Sequence, residues 1–265
     1  MALPPGVETE LRTILRNFRA ASGPPSVPGG AGKALEAWLL MKLGEAATEM
    51  PDWSATLRQG DGSPLPSGAP FLLPDNRSRI QASNPAAPGF VLLQHGQKAN
   101  LRFELQGSLQ WKGRSGALHE CDISLVPAAI AEAIRTNGGG YPHGLPIAAI
   151  ECKDKTTFGT LDETRQTLAR LFDLALITRP LQGWSCRIFE SKTSTRWGHS
   201  SSKYVSLFAH GTFGIARVGG FQAGAKTLAN HYSISPYNAI YDTAGLSVGE
   251  LQSSFKTMLG MVGSF

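Results

Sequence analysis

The chain has 265 residues and a mass of 28.3 kDa, a length that allows one elaborated domain or two small ones. Hydrophobic residues make up 42% of the sequence and charged residues 17%. This composition excludes an intrinsically disordered protein, and the length supplies a core that needs no disulfide or structural metal. The 30 glycines and 17 prolines indicate long loops.

The net charge of +5 is concentrated in one part of the chain. Residues 191–241 contain no acidic side chain. The other 20 of the 25 basic residues share the rest of the chain with all 20 acidic residues, so that part is neutral. A regional basic surface predicts a polyanionic partner, with a solvated surface as the alternative. The basic residues of the region are Lys192, Arg196, Lys203, Arg217 and Lys226.

Cysteine usage and the lack of long apolar runs predict a soluble, cytoplasmic protein without a membrane partner. Cys121, Cys152 and Cys186 form no CxxC or Cys/His pattern, which argues against a zinc site or a disulfide framework. The first residues show no basic segment followed by an apolar one, as a secretory signal would. No apolar run approaches the roughly 18 residues of a membrane span.

Two helices are predicted in the first 50 residues. Apolar residues at helical spacing predict the first over 7–20, and a Gly/Pro/Ser-rich loop separates it from a second over 33–49. Residues 51–88 hold seven prolines and little periodicity, so a long loop or insertion is predicted there.

Strands and turns dominate the middle of the chain. The sequence LRFELQGSLQW is followed by the turn residues KGRSG and by ALHECDISLV, which together predict a hairpin. The later run PIAAIECK is almost continuously apolar, as expected for a strand that is covered on both faces. In order, we predict strands at 89–94, 101–111 and 117–126, a helix at 127–135, a glycine-rich loop at 137–144 and a strand at 146–153.

A strong amphipathic helix follows at 161–178, with Asp162 and Glu163 in its first turn. The order of all these elements predicts a single α/β (α+β) domain in which helices flank a central mixed β-sheet. The remaining predictions are strands at 184–190 and 204–209 and weaker helices around 221–230 and 247–260. Within residues 1–265 we expect an N-terminal helix in 1–30, a core at about 33–210 and a helical extension at 211–265.

Two of the predicted strands contain acidic residues, and one of them also ends in a lysine. Asp122 lies in ALHECDISLV, and Glu151 and Lys153 end PIAAIECK. Because side chains alternate along a strand, Glu151 and Lys153 share one face, Cys152 points to the other, and Cys121 opposes Asp122. Two carboxylates are ligands that suit Mg²⁺, and a lysine can stabilise charge on a phosphodiester. A structural salt bridge at the strand edge is the alternative.

These motifs resemble the PD-(D/E)xK, restriction-endonuclease-like nuclease superfamily. Asp122 in HECDISLV and Glu151-Cys152-Lys153 in AAIECKDK match its motif. The resemblance implies a core running α, β, β, β, α, β, here with insertions at 51–88 and 127–145. It also implies that Asp122, Glu151 and the carbonyl of Cys152 hold Mg²⁺ or Mn²⁺, while Lys153 positions the attacking water.

Two further acidic residues are candidates for supporting a second metal or the water. Members of the superfamily often carry a helix glutamate before the sheet, and Glu36 in GKALEAWLL lies where that residue would fall. Glu104 lies on the first strand of the hairpin and shares a polar face with Arg102 and Gln106.

A second triplet of the same type occurs at Glu190-Ser191-Lys192. We prefer the first triplet, because it ends an apolar strand, follows a hairpin that contains an aspartate and precedes a long helix. The second triplet runs into a polar loop.

Residues downstream of the motif are candidates for contacting the substrate. A glutamine and an arginine one helical turn apart on the helix 161–178 can face a phosphate, although a solvated helix face is the alternative. The segment SKTSTRWGHSSSKY mixes basic, hydroxyl and aromatic residues that suit phosphate contacts and base stacking, although a polar loop would look similar. The candidates are Gln166, Arg170, Lys192, Arg196, Trp197 and Lys203.

The resemblance therefore implies a Mg²⁺-dependent endonuclease that hydrolyses DNA phosphodiester bonds, as restriction and defence effectors do, with RNA remaining open as a substrate. Double-strand cutting commonly uses two such sites, which favours a homodimer. One alternative is a non-catalytic nucleic-acid-binding or assembly protein that retains the fold. Another is a nuclease subunit that a partner or small molecule activates.

Overall fold

A mixed sheet of seven strands forms the centre of the protein. The computed structural model describes residues 3–20, 31–82, 84–113, 115–144, 146–174, 188–189, 196–197, 211–242 and 246–264. The helices in these residues are α1 (Pro5–Asn17), α2 (Ala31–Thr48), α3 (Ala128–Thr136), α4 (Leu161–Leu174), α5 (Ala223–His231) and α6 (Leu246–Gly263). The strands are β1 (Trp53–Arg58), β2 (Phe90–His95), β3 (Arg102–Lys112), β4 (Leu118–Pro127), β5 (Ala148–Lys153), β6 (Ile188–Phe189), β7 (Arg196–Trp197), β8 (Thr212–Arg217) and β9 (Ile234–Tyr237).

The sheet combines an antiparallel half with a parallel half. Strands β1 to β5 pair antiparallel in chain order, and β8 and then β9 add to β5 in parallel. Strands β6 and β7 form a separate antiparallel ribbon. Helices flank this open sheet, which confirms the predicted α/β class.

Helix α2 is the central helix of the core. Its side chains Leu35, Trp38, Leu39 and Leu43 are fully buried, and the helix contacts strands β1 to β5 as well as α1 and α6. Burial of large apolar side chains is the main stabilising contribution to such a core. None of the helices in the described residues is both long and apolar enough to cross a membrane.

The N-terminal elements of the core correct one sequence prediction. Residues 51–88 are not a continuous loop, because Trp53–Arg58 form β1 and pair with β2. Trp53 and Leu57 are buried, whereas Ser54 and Thr56 are exposed, which is the alternation of a strand with one face on the core.

The C-terminal region corrects a second prediction. Residues 211–265 are more than a helical extension, because they supply β8 and β9 to the central sheet. Every residue of β8 is buried, as expected for an interior strand of a parallel pair. The predicted strand 204–209 lies outside the described residues. Of the predicted strand 184–190, only β6 is described, and it belongs to the separate ribbon.

Candidate active site

Strands β4 and β5 separate at the residues that carry the predicted motif. The final registered pair between the two strands is Ile123 with Ile150. Continuing that register by one step places Asp122 and Glu151 opposite each other, just beyond the end of the ladder. The predicted aspartate and glutamate therefore come together where the sheet opens.

The backbone of Cys152 faces this opening. The carbonyl of Lys153 accepts a hydrogen bond from the amide of Val218, on the β8 side of the strand. Since successive residues of a strand direct their backbone groups to alternate sides, the amide and carbonyl of Cys152 point towards β4. The Cys152 amide donates to Asp122 Oδ2 at 2.7 Å, which anchors that carboxylate across the gap.

Glu151 is bound by two cations. Its side chain is 8% exposed, and its Oε1 accepts hydrogen bonds from Lys153 Nζ and from Arg170 Nη1 of α4 at 2.8 Å. The contact with Lys153 confirms that the two residues share a face of β5. Burial lowers the pKa of Lys153, but the negative charge of Glu151 outweighs burial and raises it above its usual value. The lysine is therefore a stable cation beside the carboxylates.

Asp122 is the carboxylate that this environment perturbs most clearly. Burial, reinforced by the negative charges of Glu151 and Glu36, raises the pKa of Asp122 well above its usual value. The hydrogen bond from the Cys152 amide and the charge of Lys153 oppose that rise only in part. Two neighbouring carboxylates thus act on Asp122 in a largely buried setting.

Glu36, the predicted helix glutamate, belongs to a second charged group that adjoins Asp122. Lys33 Nζ lies 2.8 Å from Glu36 Oε2, 2.8 Å from Ser108 Oγ and 3.2 Å from Glu120 Oε1. Ser108 Oγ in turn donates to Glu36 Oε2 at 2.8 Å. Burial raises the pKa of Glu36, and the contacts with Lys33 and Ser108 offset only part of the rise. The sequence prediction missed Lys33, Ser108 and Glu120.

Ser108 joins β3 to α2 and has an unusual backbone conformation. The pairs on either side of it in the ladder are Gly107 with Ile123 and Leu109 with Cys121, so Ser108 faces Asp122. Its φ of 49° is in the left-handed region, which is uncommon for a residue other than glycine. That conformation interrupts the regular pleat next to the carboxylates, and strained positions of this kind cluster at functional sites.

The structure does not bring Glu104 to this group. Glu104 is 1% exposed, and its two oxygens accept hydrogen bonds from Arg135 Nη1 and Nη2, both at 2.6 Å. Gln106 Nε2 donates to the same carboxylate at 2.7 Å. Burial raises the pKa of Glu104 despite the opposing charge of Arg135. Glu104 and Gln106 do share a polar face of β3, as predicted, but that face binds Arg135 of α3.

The candidate substrate-binding residues divide into two sets. Arg170 is at the site through its contact with Glu151, and Gln166, one helical turn earlier, is exposed. Lys192 and Lys203 lie outside the described residues. The backbone of Arg196 and Trp197 forms β7, but their side chains are also outside the described part of the chain.

One residue of the basic region 191–241 has a structural role. Arg217 is 1% exposed, and its Nε and Nη2 donate to the carbonyl of Thr157 at 2.9 and 2.7 Å. Its Nη1 donates to Glu163 Oε2 at 2.9 Å. Arg217 thereby fastens the loop 154–160 that leads from β5 to α4, and it is not available to a polyanion.

The donor set at the strand opening fits Mg²⁺ or Mn²⁺. Among the described residues, no group of three or more His, Cys, Asp or Glu side chains is arranged to hold a metal ion. Mg²⁺, however, usually takes one or two protein carboxylates and keeps several waters. Asp122, Glu151 and the carbonyl of Cys152 offer such hard oxygen ligands, and the raised pKa of Asp122 marks buried negative charge that a cation would neutralise.

Comparisons with known proteins assign neither a family nor a function to the chain. No protein-family model matches the chain, and no curated protein matches it. Among solved structures, the chain is similar to one described as "Crystal Structure of Protein of Unknown Function AF1548". The two share 16% sequence identity with a TM-score of 0.31, and the match spans 58% of this chain and 58% of the other. A similarity of this size supports no inference about fold or function.

Proposed function

We propose that the protein is a metal-dependent endonuclease that hydrolyses DNA phosphodiester bonds. The observation that carries the proposal is the meeting of Asp122 and Glu151 at the opening between β4 and β5, with Lys153 in contact with Glu151. This is the arrangement that the resemblance to PD-(D/E)xK nucleases implies. Burial and the charges of Glu151 and Glu36 disfavour the ionised form of Asp122 in the metal-free protein, so a function that uses this carboxylate accounts for its presence.

The chain's own residues supply binding and positioning. Asp122, Glu151 and the Cys152 carbonyl would hold Mg²⁺, which when bound lowers the pKa of a water ligand and polarises a phosphoryl oxygen. The Cys152 amide orients the Asp122 carboxylate for this task. Lys153 places a fixed positive charge beside Glu151, where it can orient the attacking water or stabilise negative charge on the phosphorus centre.

A phosphodiester substrate also accounts for the other cations near the carboxylates. Arg170 reaches Glu151 from α4 while 38% of its side chain stays exposed. Arg77, 71% exposed, bonds Glu120 beside the Lys33 group, and Lys155 follows β5 and is 60% exposed. Arginine and lysine side chains are among the groups that contact phosphates in protein–DNA complexes.

The test is cleavage of supercoiled, linear and single-stranded DNA in the presence of Mg²⁺ or EDTA. We expect nicking of supercoiled plasmid that EDTA abolishes. Glu151→Gln and Lys153→Met should each reduce the rate at least about 100-fold, because the first removes a proposed metal ligand and the second removes a charge that acts on the reacting phosphate. Glu49→Gln, which loses only an exposed ion pair with Lys256, is the matched control and should cleave at the wild-type rate.

Two outcomes would contradict the proposal. Full Mg²⁺-dependent cleavage by both variants would exclude this site as the catalytic centre. Salt-sensitive DNA binding without metal-dependent cleavage would instead identify a non-catalytic binding protein that retains the fold.

A further inference from the structure

The ammonium group of Lys33 lies among four oxygen atoms. Lys33 Nζ is 3.1 and 2.8 Å from the two carboxylate oxygens of Glu36, 2.8 Å from Ser108 Oγ and 3.2 Å from Glu120 Oε1. The other oxygen of Glu120 accepts a hydrogen bond from Arg77 Nε at 3.2 Å. Two carboxylates and a hydroxyl thus surround one cation, in an arrangement that a metal ion with oxygen ligands would also fit.

This group is largely enclosed and electrically balanced. The side chains of Lys33, Glu36 and Glu120 are 16%, 12% and 21% exposed. Two negative charges, on Glu36 and Glu120, face two positive charges, on Lys33 and Arg77. Burial lowers the pKa of Lys33, but hydrogen bonds and charges from Glu36 and Glu120 outweigh it and raise the pKa above the usual value. The lysine therefore remains charged where it is.

The same group adjoins the proposed metal site. Ser108 faces Asp122 across the β3–β4 ladder, and the charge of Glu36 acts on Asp122. A divalent cation held by both Glu36 and Glu120 would need, at about 2.1 Å, the carboxylate oxygens that Lys33 Nζ now contacts at 2.8 to 3.2 Å. Such a cation would take the position of the ammonium group, so the two cannot be present together.

We propose that Lys33 takes the place of a second divalent cation beside the Asp122–Glu151 site, so that the protein binds one such ion rather than two. The inference rests on the proposed metal-dependent function, since it concerns the neighbourhood of that metal. Lys33 is then a positioning residue: it fixes Glu36 and Ser108 next to Asp122 and supplies positive charge that no change in metal concentration removes.

The test counts bound metal ions directly, without reference to catalysis. Mn²⁺ is titrated into the purified full chain, and free Mn²⁺ is followed by electron paramagnetic resonance. We expect one tight site in the wild type and none in Asp122→Asn. In Lys33→Met, which keeps the length of the side chain but removes its charge, the count should rise to two. Lys33→Met combined with Glu36→Gln should return it to one.

Lys42 provides a matched control on the same helix. Its Nζ lies 2.9 Å from Glu10 Oε1 and 2.9 Å from Glu45 Oε2, and its side chain is 12% exposed. Lys42→Met also frees two carboxylates, but they do not adjoin Asp122, so the count should stay at one. An equal gain in Lys42→Met would show that any freed carboxylate pair binds Mn²⁺, and would overturn the assignment.

Glu36→Gln in the otherwise wild-type chain decides the matter even if Lys33→Met fails to fold. An unchanged count of one supports the proposal, because Glu36 then holds no metal. A wild-type count of two that falls to one in Glu36→Gln overturns it, as does a folded Lys33→Met that binds only one ion. The proposed function fails separately, through a wild-type protein that binds no Mn²⁺ at the Asp122-dependent site.

Discussion

Replacing Glu104 by glutamine should destabilise the protein strongly while leaving its chemistry intact. The carboxylate receives both terminal nitrogens of Arg135 at 2.6 Å and the amide of Gln106 at 2.7 Å. In Glu104→Gln, one of the two acceptors becomes an NH₂ group that faces an N–H donor. The guanidinium of Arg135, 10% exposed, loses its counter-charge. It keeps the remaining amide oxygen, the hydrogen bond from Nε to the carbonyl of Gly60 at 3.4 Å and the ring of Phe90, 4.6 Å from its Cζ.

The size of the loss follows from burial. Breaking a buried ion pair by removing one partner costs about 3–5 kcal/mol, because the other charge stays desolvated and uncompensated. An exposed pair is worth about 0–1 kcal/mol, which is the range expected for Glu49→Gln. The total stability of a domain is roughly 5–15 kcal/mol, so the Glu104 variant should remain folded but unfold at a much lower urea concentration.

The measurement is urea unfolding followed by circular dichroism, with Mn²⁺ binding as a second readout. We expect an unchanged slope, a free energy of unfolding lower by about 3–5 kcal/mol and normal Mn²⁺ binding. Replacing the pair together, as Glu104→Leu with Arg135→Met, should recover most of the loss, since well-packed apolar residues substitute for buried ion pairs. A loss below about 1 kcal/mol in Glu104→Gln, or a loss of Mn²⁺ binding without unfolding, would refute this structural role.

Two further predictions concern the site and the loop beside it. Because the pKa of Asp122 is raised in the folded protein, its ionisation opposes folding, and metal-free protein should gain stability as the pH falls through that raised pKa towards the ordinary carboxyl value. Thermal unfolding in EDTA should show this gain in the wild type and a smaller one in Asp122→Asn, whereas equal pH dependence in both would contradict it. Arg217→Lys, which loses the paired hydrogen bonds to Thr157, should accelerate amide hydrogen exchange in residues 154–160 and leave exchange in β1 unchanged. Protected amides in that loop would show that Arg217 does not hold it.

The sequence was most informative where local patterns and global packing agree. The alternation and apolar runs around Asp122 and Glu151 predicted their two strands to within two residues at each end, and alternation correctly placed Glu151 and Lys153 on one face. Helix α2 was predicted equally well from its buried leucines. Lys33 and Glu36 are three residues apart on this helix, and residues at that spacing are neighbours on a helix surface. Their contact could therefore be read from the sequence.

Features that depend on contacts between distant parts of the chain could not be predicted from local sequence patterns. Strand β8 was not predicted from the sequence. It contains Gly214, a residue type that is depleted in strands, and a Cβ there would lie 2.6 Å from Cε2 of Tyr237, so packing of that ring requires glycine. Lys33 contacts Ser108 of β3 and Glu120 of β4, and no local pattern in the sequence predicts contacts between elements so far apart in the chain. Glu104 was predicted as a site residue, but it binds Arg135 of α3 instead. That pairing joins two separate elements, so the sequence of β3 alone does not reveal it.

The parallel pairing of β5 with β8 bears on when the site can form during synthesis. The strand that carries Glu151 and Lys153 is held on one side by β4, which precedes it, and on the other by residues 212–217. Until those later residues are made, one edge of β5 is open and prone to pair with other chains. The part of the sheet that supports the charged cluster is therefore completed late in synthesis, and a truncation before residue 212 should aggregate rather than accumulate as an active fragment.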